Sequence, residues 1–189
     1  MNREQLHATA TFILNCEARR DKQGHLRVYD LPEGDGGGSF EVAGINDRFD
    51  HDIAYSLLTL LRKGQHQAAE EMAVAYYIQN TDGVATWCPQ CAAVEAFLRD
   101  AAFNRGVGGA AKILQLALGV AADGKVGAKT LAALSEALSA PKDLIQEMHH
   151  ACETYERRVA PPVGARAKFW NGLVNRWAKR RDFALTLLT

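Results

Sequence analysis

Acidic residues on both sides of a glycine-rich stretch are the part of this chain best suited to acid–base chemistry. Glu17 precedes the stretch, Asp35 lies within it and Glu41 follows it. General acid–base catalysis needs one group that donates a proton and a second that accepts a proton or stabilises positive charge. These three carboxylates are therefore the candidate catalytic residues.

Glu17 falls at the end of a segment whose apolar spacing predicts the first helix. Ile13 and Leu14 belong to the apolar face of that helix. The C-terminal end of a helix is partly negative, and a carboxyl group that is buried there favours its protonated form. A general acid needs that form. The competing interpretation is a surface residue paired with Arg19 or Arg20.

The glycine-rich stretch lies between two segments of alternating polarity. Residues 25–29 and 39–42 predict a two-stranded β-ribbon near residues 25–43, whereas the rest of the chain predicts helices. The fold class is therefore predicted to be mainly α. Gly37 and Gly38 allow close approach of the backbone to a ligand, so they are candidate binding residues. The alternative for them is a flexible hairpin tip.

Two tyrosines are further candidate ligand contacts. Tyr76 and Tyr77, in the predicted third helix, can stack on a flat apolar ligand face. Core packing is the alternative for at least one of them. Asn104 follows the predicted fourth helix (residues 92–103), where its position favours a helix C-cap followed by Gly106.

The cysteines allow two specialised interpretations and one structural one. Cys88 and Cys91 form a CxxC motif that could be a redox pair, or a zinc site with His149, His150 and Cys152. The sequence shows neither a second CxxC motif nor a thioredoxin-like pattern around this one. We expect packed thiols near a helix N-terminus, and no bound metal or cofactor.

Composition limits the classes of partner. The 189 residues carry 22 Lys and Arg against 22 Asp and Glu, so net charge favours neither nucleic acid nor anionic membranes. The sequence contains no run of 18 or more apolar residues, so it predicts no membrane-spanning helix. We recognise no signal peptide near residue 1, so we expect synthesis in the cytoplasm. The basic C-terminal third is explained by a solvated helical face, and attraction to anionic polymers is the alternative.

Residues 109–134 carry several residue pairs at fixed offsets. These pairs are Leu114-Gln115, Leu118-Gly119, Asp123-Gly124, Val126-Gly127 and Thr130-Leu131. The pattern resembles predicted peptidoglycan-binding modules, in which two helices flank a tight turn. The alternative is a helix–turn–helix that completes the core and binds nothing.

Other segments resemble glycoside hydrolase family 108, whose members are lysozyme-like N-acetylmuramidases. The matching pieces are Glu17, residues 35–38, the Gly44-Ile45-Asn46 segment, the Asn104-Arg105-Gly106 element and residues 169–177. The resemblance makes Asn104 a candidate substrate contact, with the helix C-cap as the alternative. The resemblance implies a lysozyme-like helical fold with a short β-ribbon near the N-terminus. It also implies a catalytic lobe over residues 1–105 and a peptidoglycan-binding-like helical region over residues 106–189.

The expected function is hydrolysis of the glycan strand of bacterial peptidoglycan after N-acetylmuramic acid. The resemblance implies that Glu17 protonates the leaving oxygen, while Asp35 or Glu41 activates water or stabilises the transition state. Such an enzyme would reach the wall after release, through a holin or a secretion system. The alternative is a non-catalytic peptidoglycan-binding protein, or a phage or secretion accessory protein, that keeps the fold.

Overall fold

The computed structural model describes residues 1–32 and 37–188, apart from the side chains of residues 165 and 166. The mainly α fold class is confirmed, since long helices dominate the described residues and strands are few. The helices are α1 (Arg3–Glu17), α2 (His51–Arg62), α3 (His66–Asn80), α4 (Ala92–Ala117), α5 (Ala128–Ala137), α6 (Pro141–Val159) and α7 (Trp170–Thr186). None of these helices is long and apolar enough to cross a membrane.

The sheet has three antiparallel strands in the described residues, so the two-stranded ribbon was an incomplete prediction. The strands are β1 (Val28–Asp30), β2 (Phe40–Val42) and β3 (Ile45–Asn46), in that spatial order. The prediction missed β3 because a two-residue strand carries too little alternation to be recognised. The β2–β3 connection is a two-residue turn at Ala43 and Gly44, where both residues have positive φ.

Contacts divide the chain into two compact units. The first unit comprises Met1–Thr9 and Asn80–Thr189, and the second comprises Ala10–Gln79. The predicted boundary between residues 105 and 106 lies within the first unit, inside α4. Helix α4 packs against both α6 and α7, and this packing joins the two sides of that position.

The second unit buries apolar side chains of α1 and α2 and one face of the sheet. Ile13 and Leu14 of α1 and Leu57 of α2 are almost fully buried. On β2, Phe40 and Val42 are buried whereas Glu41 is only half-buried. This alternation follows from the period of two residues along a strand, and it directs Glu41 to the face opposite the core side chains.

The first unit has a core that α4, α6 and α7 share. Its fully buried apolar residues include Phe97, Leu98 and Leu114 of α4 and Ile145 and Met148 of α6. Apolar spacing and Pro141 predict a helix over residues 141–159, and α6 begins at Pro141 and ends at Val159. The sequence also predicts a continuous helix over residues 165–188, but the chain instead forms a 3₁₀ segment (Gly164–Phe169) followed by α7.

Helix α4 contains a break where the sequence predicts its end. Gly106 has a φ of 69° and a ψ of 166°, which no α-helix contains. The chain resumes a helical path directly after Gly106, so two helical segments follow each other within Ala92–Ala117. The prediction that the helix stops near Phe103 therefore located the interruption correctly but missed the continuation.

Candidate functional site

Glu17 is the last residue of α1, in the position that the sequence predicts. The helix is anchored one turn earlier by Ile13 and Leu14, which are buried, while Glu17 itself is half-buried. The carboxylate lies against the β2–β3 turn: a β-carbon added to Gly44 would be 3.2 Å from Glu17 Oε2 and 3.6 Å from its Cδ. Glycine at position 44 thus leaves the space that this carboxylate occupies.

The turn beside Glu17 has an uncommon backbone. Ala43 has a φ of 53° and is the one non-glycine residue with positive φ among the described residues. The hydroxyl group of Tyr77 donates a hydrogen bond to the carbonyl oxygen of Ala43. A non-glycine residue in this region costs about 1–2 kcal/mol. Such strain often occurs beside functional groups, where surrounding contacts maintain it.

Glu41 lies on the outer face of the sheet, between cross-strand neighbours. Its register partners are Tyr29 on β1 and Asn46 on β3. Arg19 lies over the Tyr29 ring, 3.4 Å from the ring centroid, and its Nε atom is 3.9 Å from Glu41 Oε1. The Arg19 side chain is 55% exposed, so this ion pair contributes little to stability.

The end of the glycine-rich stretch is packed against the residues that follow β3. Gly37 has a φ of 96°, and its carbonyl oxygen accepts a hydrogen bond from Asn46 Nδ2 over 3.2 Å. Asp47 Oδ1 accepts from the backbone N–H of Ser39 over 2.7 Å. A β-carbon on Gly38 would be 2.7 Å from the same Asp47 oxygen. Gly37 and Gly38 therefore allow close approach of another group to the backbone, but in this structure the approaching groups are the side chains of Asn46 and Asp47.

Asp35 lies outside the described residues, as do its neighbours at positions 33, 34 and 36. The role of Asp35 as a second carboxylate stays a prediction. The structure describes Glu17 and Glu41 of the three candidates, and both belong to the unit Ala10–Gln79.

The two tyrosines differ in burial. The ring of Tyr77 has no exposed surface, which is the geometry of a core residue and matches the alternative that the sequence left open. Tyr76 is half-buried and packs edge-on against Tyr77, with 5.7 Å between ring centroids. Burial raises the pKa of Tyr76, and a hydrogen bond to the Asp50 carboxylate adds to this effect. Of the two rings, Tyr76 is the one with surface for a ligand.

Asn104 lies two residues before the break in α4. Its Nδ2 atom donates a hydrogen bond to the carbonyl oxygen of Asp100 over 3.0 Å, and the side chain is half-buried. The amide is thus used within its own helix, next to Gly106, which supports the capping alternative without testing contact with a substrate. Asn104 belongs to the unit that contains Asn80–Thr189.

The motif of residues 109–134 is organised around the amide of Gln115, which the sequence shows only as one member of the Leu114-Gln115 pair. Gln115 is 1% exposed. Its Nε2 atom donates to Asp123 Oδ1 over 2.8 Å and to the carbonyl oxygen of Lys125 over 3.0 Å, and it lies 3.3 Å from Thr130 Oγ1. Its Oε1 atom accepts from the backbone N–H of Gly124 over 2.8 Å. The fixed offsets of the motif therefore place Asp123, Gly124 and Lys125 where the Gln115 amide can bond them, and this amide holds the loop between α4 and α5.

A buried ion cluster corrects the interpretation as a solvated face for two of the C-terminal basic residues, Arg176 and Arg180. Asp100 is fully buried and pairs with Arg176 and Arg180. The Arg180 side chain is 2% exposed and also donates to Cys152 Sγ over 3.3 Å. Burial raises the pKa of Asp100, but the charges and hydrogen bonds of the two arginines outweigh it and lower that pKa. An aspartate within the apolar run of α4, with arginines around Trp177 on α7, was the signal in the sequence.

Comparison with known proteins gives two findings. Residues 109–181 match the family model of a predicted peptidoglycan domain. The structure of SagA from Brucella abortus is similar over 98% of this chain and 97% of that one, with a TM-score of 0.65 and 22% sequence identity. No curated protein matches the sequence. At this identity the likeness to SagA shows that the two chains share a fold, and the C-terminal part of this chain is similar to a peptidoglycan domain.

Proposed function

We propose that this chain acts on bacterial peptidoglycan as a glycoside hydrolase of the N-acetylmuramidase type. The observation that carries the proposal is the placement of Glu17, a half-buried carboxylate at the end of α1 and in contact with a strained turn. The match of residues 109–181 to a predicted peptidoglycan domain supports the choice of substrate. The chemistry needs no cofactor.

In this mechanism Glu17 donates a proton to the glycosidic oxygen as the bond to the leaving sugar breaks. A second carboxylate, Glu41 or Asp35, activates water or stabilises the oxocarbenium-like transition state. The distance between the two carboxyl groups decides the stereochemical outcome, with about 5–5.5 Å for retention and about 6.5–9.5 Å for inversion. Tyr76 has the exposed ring surface to contact a sugar.

The second carboxylate is identified by a pair of matched substitutions. Asp35→Asn and Glu41→Gln each remove one charge and keep the shape of the side chain. The true partner should lose activity strongly on purified peptidoglycan, and the other residue only modestly. Glu41→Gln also breaks the pair with Arg19, so Arg19→Gln is its control for lost ion pairing.

A non-catalytic peptidoglycan-binding role is the second candidate, and one observation favours it. The two residues that follow Ala18 are engaged in ion pairs: Arg19 with Glu41, and Arg20 with Glu70. The family that the chain resembles usually has Glu-Gly-Gly-Tyr at this place, so it lacks these two charged side chains. Retention of the wild-type protein on insoluble peptidoglycan, with no release of soluble fragments, would establish the binding role instead.

A further inference from the structure

The CxxC segment forms a four-residue turn directly before α4. The backbone N–H of Cys91 donates to the carbonyl oxygen of Cys88 over 3.2 Å. A turn closed in this way holds its first and fourth Cα atoms within about 7 Å. That separation overlaps the range of about 4.4–6.8 Å found in disulfides. Both cysteines are free, so the turn presents two reduced thiols at a spacing from which they can be oxidised to a disulfide.

The two thiols have different surroundings. Cys88 has no exposed surface, whereas Cys91 is half-exposed at the N-cap position of α4. A hydrogen bond from the Cys88 thiol, aided by the backbone N–H groups of Val94 and Ala93, lowers the pKa of Cys91 to about 6 despite partial burial. The same contact, together with burial, raises the pKa of Cys88. One sulfur is therefore a thiolate at neutral pH while its neighbour keeps its proton.

Cys91 borders a cavity that a small external molecule can enter. Cys91 lines a cavity of about 630 Å³ together with Pro89, Gln90, Pro141, Leu187 and Leu188. This volume lies within the range of about 300–1,000 Å³ that is typical of pockets for small ligands.

No cluster of three or more His, Cys, Asp or Glu side chains suitable for a metal occurs among the described residues, whereas zinc sites use three or four such ligands.

One charged residue faces the pair from α4. Glu95 is in the first turn of that helix, and its negative charge contributes to the raised pKa of Cys88. Its Oε1 atom is 2.9 Å from Arg99 Nε, and its Oε2 atom is 3.0 Å from the ammonium group of Met1, which lines the same cavity as Cys91. The negative charge of Glu95 is thus paired with two cations, and the backbone N–H groups of Ala93 and Val94 favour the thiolate of Cys91.

We propose that Cys88 and Cys91 form a redox-active dithiol that exchanges with small external disulfides. The Cys91 thiolate attacks one sulfur of the external disulfide, forming a mixed disulfide and releasing one thiolate. Cys88 then loses its proton to water and attacks the Cys91 sulfur, releasing the second thiolate. The external disulfide is reduced to two thiols, and the two cysteines are oxidised to one disulfide. This activity does not depend on the proposed hydrolysis.

The test uses the fully reduced chain and glutathione disulfide, with peptide-resolved mass spectrometry. We expect wild type to form a disulfide between Cys88 and Cys91 without a lasting adduct. Cys88→Ser removes the resolving sulfur, so a glutathione adduct should accumulate on Cys91. Cys91→Ser should leave Cys88 unmodified. Cys16, a partly exposed cysteine of the other unit that forms no disulfide, is the internal comparison in every sample.

A second measurement on unmodified wild type removes any dependence on how the variants fold. The alkylation rate of Cys91 should be half-maximal near pH 6, rather than near the ordinary value of 9.0 for a cysteine. At pH 6 a thiol with this pKa has about 500 times more thiolate than an ordinary one. Its lower nucleophilicity offsets part of this, which leaves an advantage of about twentyfold.

Three results would overturn the proposal. The first is an alkylation midpoint of Cys91 near pH 9. The second is a folded Cys88→Ser variant that gains no adduct on Cys91. The third is a wild-type chain in which glutathione adducts form on Cys16 while the CxxC thiols stay reduced.

Discussion

Glu17 leaves no room for a relaxed side chain at Gly44, since a β-carbon on the glycine would lie only 3.2 Å from the Glu17 carboxylate. The contact joins the end of α1 to the turn between β2 and β3. The φ of Gly44 is 72°, a value that glycine adopts without strain. The proposed acid is therefore positioned by a backbone conformation and by the absence of a side chain.

Gly44→Ala is expected to lower both stability and activity. The positive φ should cost about 1–2 kcal/mol of unfolding free energy, and the added methyl group should displace the Glu17 carboxylate. Gly64→Ala is the matched control, because Gly64 has a φ of 68° and nothing within 4 Å of the added carbon. Chemical denaturation should show similar stability losses in the two variants. Peptidoglycan turnover should show a greater loss of activity in Gly44→Ala than in Gly64→Ala. Equal activity in the two variants would contradict this role of the contact.

Tyr77→Phe should destabilise the fold by about 1–3 kcal/mol, because it leaves the buried carbonyl oxygen of Ala43 without its donor. Tyr76→Phe is the control: its hydroxyl group bonds Asp50, which is only half-buried and can be hydrated instead. Thermal unfolding of both variants measures the difference. Equal melting temperatures would show that the Tyr77 hydrogen bond does not maintain the turn.

Asp100→Asn should cost about 3–5 kcal/mol at neutral pH, since it leaves Arg176 and Arg180 buried without their counter-charge. The folded-state pKa of Asp100 is lowered, so its contribution is fully present above the unfolded value of about 3.9 and is lost as pH falls below it. Denaturation from pH 6 to pH 2.5 should therefore show the stability gap between wild type and variant narrowing below about pH 4. A gap that is constant with pH would exclude an ionised Asp100 as its source.

Gln115→Met should loosen the loop before α5 and destabilise the chain by about 2–4 kcal/mol, because the amide hydrogen bonds to Asp123, Lys125 and Gly124 are lost together. Lys129→Met, at an exposed position in α5, is the surface control. Hydrogen exchange of residues 119–127 should accelerate in the first variant alone. Unchanged protection there would show that the motif does not depend on this glutamine.

The sequence was sufficient to predict helices whose apolar residues recur at regular spacing and whose ends carry a clear signal. Apolar spacing located α1 with its end at Glu17, and Pro141 marked the start of α6. The sequence could not show that Gln115 holds a loop, because an amide has no periodic signature. It also could not show that Arg180 is buried, because charge alone predicts exposure. The contact between Glu17 and Gly44 joins residues far apart in the chain, which only the folded structure brings together.

The most direct test of the central claim is the rate at which purified peptidoglycan is cleared by wild type and by Glu17→Gln. The glutamine keeps the shape and hydrogen bonding of the side chain but cannot donate the proton. General acid catalysis contributes about 10²–10⁴-fold, so we predict a rate loss of at least this order with an unchanged melting temperature. Hydrolysis at an undiminished rate by folded Glu17→Gln would contradict the account.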